Sequence, residues 1–173
     1  MTLGFMQNWP KSMAMENSAT YFIAKIWMGI PQQYKSLKIH DDYCTKHVNQ
    51  FSAHWDVPDD EVKPKLHTIR HDESERWRPG MAIQFVINNR TKDRFQFAPV
   101  IPCLRVQEIE IIHRKSKTHH LSWVNIKVDG RLLSGHEATK LIVNDGFESI
   151  GDFLNYFNKD FKGRLIHWTN LRY

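Results

Sequence analysis

Between Lys65 and Val128 the sequence carries a succession of short apolar stretches separated by turn signals, with no amphipathic helix among them. That run constrains the fold more than any other feature. The stretches are Lys65 to Arg70, Met81 to Asn88, Phe95 to Val100, Arg105 to Ile112 and Leu121 to Val128. They are divided by a charged loop ending in Pro79-Gly80, by the polar segment Asn88 to Asp93, and later by Asp129-Gly130. Period-two alternation is clearest where Val106, Ile109 and Ile111 interleave with Arg105, Gln107, Glu108 and Glu110, the pattern of a half-buried strand. Helical spacing appears only outside the run. Phe22, Ile23, Ile26, Trp27 and Ile30 mark a helix before it, with Ser18 or Thr20 as candidate caps and Gly29 and Pro31 at its end. Gly135 to Val143 and Ser149 to Asn158 are helical after it, and Arg164 to Thr169 reads as a last strand. Strands and helices therefore do not alternate one by one, which excludes a doubly wound nucleotide-binding sheet. The order predicts an α+β fold: a small β-barrel flanked by helices.

The 173 residues suffice for one hydrophobic core, so the whole chain, 1–173, is expected to form a single domain. Met1 to Ser18 reads as an irregular arm. Residues 32–63 mix aromatic, apolar and charged positions and end in the acidic turn Pro58 to Glu61, so an insertion of short helices and loops is expected there. Two cysteines, Cys44 and Cys103, are too few for a disulfide framework, and the first residues lack the layout of a secretory signal, so a reducing cytoplasmic setting is expected. Phe95 to Leu104 is about half the ~20 residues a membrane-spanning helix needs and contains Pro99 and Pro102, so no membrane segment is expected. An excess of 24 Lys and Arg over 19 Asp and Glu suits an anionic partner such as a nucleic acid, and equally a solvated basic surface.

Three blocks recur in a recognisable order. The first is Lys65-Leu66-His67-Thr68-Ile69-Arg70 followed by Arg76-Trp77-Arg78-Pro79-Gly80-Met81. The second is Asn144-Asp145-Gly146-Phe147 leading into Phe153 to Phe157, and the third is Gly163 to Thr169. Together they resemble the ASCH domains of the PUA-like superfamily, in particular a bacterial and phage subgroup. In that family a Lys-x-x-Thr-Ile-Arg run precedes a Gly that opens the next barrel strand. The resemblance implies a PUA-like barrel and binding of RNA or a nucleoside-like ligand. It also implies, from one branch of the family, an amidohydrolase acting on N4-acetylcytidine. On that branch Lys65 and Thr68 match the catalytic Lys and Thr. The branch's Glu falls at Asp145, one methylene shorter, with Glu148 three residues on as a substitute.

Amide hydrolysis needs a nucleophile with a base, an oxyanion donor and an acid for the leaving amine. Thr68 suits the nucleophile, Lys65 a base once burial lowers its pKa, and Asp145 or Glu148 the proton carrier. The plain alternative is that Thr68 is an ordinary strand residue, Lys65 a solvated cation and Asp145 a cap on the following helix. Lys65 and Thr68, three apart, face opposite sides of a regular strand, so they converge only if Lys65 lies in the loop before it, a placement that Pro64 favours.

For a nucleic acid or nucleotide, Arg70, Arg76, Trp77 and Arg78, with His67 and His71 nearby, mix cations with a ring that can stack on an unpaired base. Against this, Trp77 equally suits the core, with the arginines paired to Asp72, Glu73 and Glu75. Cys44-x-x-His47 with His40 and His54 resembles part of a zinc site, but no second pair with matching spacing follows. No metal and no cofactor are therefore expected. The leading expectation is recognition of RNA or a nucleoside-like ligand. The other two are hydrolysis of an N-acylated nucleoside, and a protein-interaction scaffold whose contact surface is the 32–63 insertion.

Overall fold

The computed structural model describes residues 1–11, 13, 17–58, 61–115 and 122–173. Asp59 and Asp60 of the expected acidic turn and Leu121 at the head of an expected strand lie outside them. The fold is α+β. Strands β1 (Thr2–Gly4), β2 (His67–Arg70), β3 (Ala82–Ile87), β4 (Phe95–Gln96), β5 (Ile101–Pro102), β6 (Arg105–Lys115), β7 (Ser122–Val128), β8 (Arg131–Leu132) and β9 (Phe161–His167) form two sheets. Helices α1 (Phe22–Gly29), α2 (Leu37–Phe51), α3 (Gly135–Asn144) and α4 (Ile150–Tyr156) accompany them, with a 3₁₀ turn at Gln32–Tyr34.

One sheet is built on β3, which pairs parallel with β1 and antiparallel with β4 and β5. The other is antiparallel, in the order β2-β9-β6-β7-β8. Each sheet is open, with no ladder closing it into a barrel among the described residues. The two share one buried apolar cluster, in which Phe85 of the first sheet meets Trp168 edge to face at 5.1 Å, and Ile109 and Leu165 of the second are fully buried. His167, the last residue of β9, and Trp168 after it are both fully buried.

Several expected boundaries shift for identifiable reasons. The arm is not wholly irregular, because Thr2–Gly4 adds to β3 in register with Gln84 to Val86. The cap of α1 is neither Ser18 nor Thr20 but Tyr21, in the left-handed region at φ 54 and without a side-chain capping bond. Thr20 instead directs its hydroxyl to the Met6 and Gln7 carbonyls, holding the arm against α1. The expected strand Phe95 to Val100 is reduced to Phe95–Gln96, ahead of Pro99, which has no N–H to continue a ladder, and a separate short strand, Ile101–Pro102, follows. In the insertion, one regular helix of 15 residues, α2, replaces the expected short pieces, capped by the Ser36 hydroxyl accepting from the Ile39 N–H.

Candidate functional site

Two main-chain bonds place the first candidate residue. The Lys65 N–H donates to the Lys25 carbonyl of α1 at 2.9 Å, and the Leu66 N–H donates to the Asn144 carbonyl at the end of α3 at 2.8 Å. Lys65 is thereby held in the loop ahead of β2, so its side chain is freed from strand parity and converges with that of Thr68. Thr68 and Arg70 are two apart in β2, and both line one hollow with Lys65 and Asp145. The remaining wall is aromatic: Phe5 and Trp9 of the arm, Phe22, Phe147, Tyr156 and Phe157.

Asp145 is the hub. It does not cap the following helix, whose cap is Ser149; it terminates α3. Its Oδ1 accepts from Lys65 Nζ at 3.0 Å and from the Ile69 N–H at 3.0 Å, and its main-chain carbonyl accepts a short bond from the same amine. A single carboxylate thus ties the end of α3 to the start of β2. Behind it, the Tyr173 hydroxyl accepts from Asn144 Nδ2 and bonds His67 Nε2 at 2.8 Å. The other ring nitrogen, His67 Nδ1, lies 3.5 Å from Asp145 Oδ1. His67 is a support behind the carboxylate and does not line the hollow.

The charges follow from this enclosure. Burial pushes the Lys65 ammonium down to about 8, opposed by the attraction of Asp145. For Asp145 burial acts upward, but the Lys65 charge and the His67 contact outweigh it and hold the carboxyl below its ordinary range. Burial also lowers His67, which leaves it neutral near pH 7. Arg70 donates to the Gly4 carbonyl at 2.6 Å and lies 5.0 Å from the Phe5 ring centre, so it anchors the arm while facing the hollow. Two cations and one carboxylate give the hollow a positive balance suited to a ligand carrying a phosphate, carboxylate or polarised carbonyl.

The other expected site residues lie elsewhere. Glu148 is not in the hollow; it pairs at 3.3 Å with Lys25 on an adjoining cavity of about 440 Å³ that shares the Phe147 wall. Trp77 is buried, so its ring is not free to stack on a base, and its main-chain N–H donates to Asp72 Oδ2 at 3.0 Å. Arg76 extends into solvent beside Asp72, and Arg78 is exposed; neither lines the hollow. His40 and His47 lie on one face of α2, but both rings pack edge-on against Trp55, and His47 Nδ1 bonds the Ala53 carbonyl at 2.8 Å. His54 is beyond the helix and exposed, and among the described residues no three His, Cys, Asp or Glu side chains converge on one point.

The sequence reading passed over Lys25, Trp9 and Tyr156. A lysine set among the apolar helical positions Phe22, Ile23, Ile26 and Trp27 was the available signal for Lys25, whose ammonium burial lowers against the opposing Glu148. No family model, curated protein or solved structure matches the chain.

Proposed function

We propose that this is an ASCH-type, PUA-like domain that recognises an RNA or nucleoside-like ligand through Lys65, Thr68, Arg70 and Asp145. The observation that carries the reading is the convergence of these four polar side chains, drawn from the stretch 65–70 and from the end of α3, on one aromatic-walled hollow. Buried lysine and aspartate are rare in a core unless paired, and a partly buried arginine, a threonine and a ring of aromatics beside them is the composition of a ligand site.

As it stands the hollow measures about 30 Å³, room for a water molecule. A nucleoside-sized ligand requires several hundred Å³, on the order of 300 or more. Phe5, Met6 and Trp9 form the side that must yield, whereas Lys65, Thr68 and Asp145 are fixed by β2 and by the end of α3. The arm is itself tied down, by β1 on β3, by the Thr20 hydroxyl on the Met6 and Gln7 carbonyls and by Arg70 on the Gly4 carbonyl, so a ligand enters by breaking arm contacts beyond β1.

A second reading, hydrolysis of an N-acylated nucleoside such as N4-acetylcytidine, is favoured by the lysine at about 8 on the same hollow as the Thr68 hydroxyl. In that scheme neutral Lys65 takes the Thr68 proton as the hydroxyl attacks the acyl carbon, and Arg70 faces the oxyanion. The Lys65 ammonium returns the proton to the departing amine nitrogen as the C–N bond breaks, and water then cleaves the acyl-threonine to restore the hydroxyl. The test for both is a titration of cytidine, uridine and N4-acetylcytidine into the protein, with product analysis. Binding lost in Thr68→Val supports the first reading, and cytidine released by the wild type but not by Thr68→Val supports the second. Neither binding nor turnover across the panel removes both.

A further inference from the structure

On the far side of α4 from the hollow, the end of the β6–β7 hairpin forms a shallow groove of about 260 Å³ lined by His113, Arg114, Lys115, Trp123, Val124 and Leu154. Trp123 is 49% exposed, unusual for the largest apolar side chain. Arg114 stands directly opposite it in the ladder, so the guanidinium and the indole share one face of the hairpin. Arg114 and Lys115 are both exposed, and neither has an ion-pair partner among the described residues. Among the described residues the groove is lined by no acid. Asp160 accepts the His113 main-chain N–H at 2.7 Å through Oδ1. Val124 and Leu154 make the floor apolar, and His113 is held by its Nε2 against the Phe157 carbonyl at 2.8 Å.

We infer that this groove holds a single-stranded nucleic acid, with an unpaired base stacked on Trp123 and adjacent phosphates on Arg114 and Lys115. A flat exposed ring beside two unpaired cations, with no acid in the lining, is the arrangement that binds a strand with little sequence preference. A protein segment would find no carboxylate to pair with its own cations and only a small apolar floor. The inference goes beyond the reading of the hollow and does not depend on it. A free nucleoside would have no use for this surface, so a strand held here makes the natural partner a polymer. His113 connects the two places, since it lines the groove and bonds the carbonyl of Phe157, whose side chain lines the hollow.

The experiment is fluorescence anisotropy with a labelled single-stranded RNA homopolymer of about ten nucleotides, in the range of known strand-binding site sizes, at low and raised salt. The wild type should bind. Trp123→Ala should weaken binding on the order of 10-fold while Trp123→Phe retains most of it, the expectation for a stacked base. Arg114→Gln with Lys115→Gln should lower the slope of log affinity against log salt by about 1.4, two phosphate contacts at about 0.7 each. Circular dichroism confirms that these surface variants stay folded. The cytidine titration, repeated on Trp123→Ala, should be unchanged, so the hollow and the groove succeed or fail separately. The inference is overturned if the wild type binds no strand, if Trp123→Ala binds it equally well, or if an acidic peptide of matched charge competes as strongly as RNA.

Discussion

Asp145 carries more of the local structure than any other residue at the hollow, since it neutralises Lys65, fixes β2 through the Ile69 N–H and terminates α3. Removing one partner of a buried ion pair leaves an uncompensated charge, so Asp145→Ala should cost about 3–5 kcal/mol in urea unfolding. Lys65 imposes a distinct pH signature. In the fold it releases its proton near pH 8, whereas an unfolded lysine holds its proton to about 10.4. Between those values the unfolded chain binds the extra proton, so stability gains from Lys65 as pH rises through that window, by at most about 3 kcal/mol. Unfolding followed from pH 7 to 10 should show this rise in the wild type and a flatter profile in Lys65→Met; equal slopes would mean that the amine is not buried as described. At this scale Lys65, Thr68, Arg70 and Asp145 were legible because a motif singled them out. Trp77 stayed open between two readings because local sequence does not distinguish a ring offered to a ligand from one buried in the core, and the fold takes the second. Trp9 and Tyr156 were invisible because only the tertiary fold brings the arm and α4 over β2.

The elements meet most tightly where α1 passes the loop before β2. A Cβ on Gly29 would lie 2.1 Å from the Lys65 carbonyl oxygen, a backbone atom that cannot swing aside. Gly29→Ala should therefore force α1 and the Lys65 loop apart, costing about 1–3 kcal/mol and weakening ligand binding in the same variant. Unchanged stability by thermal melt would contradict this packing. The strands and helices with strong periodicity were readable: α1, β3, β6 and α3 fall where apolar spacing put them. Two misses share a cause, which is that tertiary partners override local pattern: β1 exists because β3 offers it an edge, and β9 begins at Phe161 because β6 is long enough to pair with it. The third is local, since Pro99 interrupts an otherwise apolar run. The mixed residues 32–63 hid a helix because α2 buries only part of one face, leaving its charges in solvent.

Across the whole molecule, the N-terminal arm both completes a sheet and covers the hollow. Trp9 packs against Phe147 at 5.2 Å, yet its buried indole N–H has no hydrogen-bond partner among the described residues, so the ring fills space more than it satisfies bonds. Trp9→Ala should destabilise the fold by about 3–5 kcal/mol in thermal or urea melts, and should strengthen nucleoside binding by opening the side of the hollow that a ligand must displace. A Trp9→Ala protein that binds no more tightly than wild type would place the entry route elsewhere. The α+β class was legible from element order, since strands in succession with helices at either end leave few alternatives. Whether sheets close was not, because closure depends on which edges find each other and no local pattern records that. The decisive measurement is calorimetric titration of the cytidine, uridine and N4-acetylcytidine panel into wild type, Thr68→Val and Arg70→Met. One ligand of the panel should bind the wild type and lose at least about 10-fold in both variants, with their folds intact by circular dichroism. No binding to the wild type, or binding that both variants retain, would mean that these converging side chains serve the fold alone.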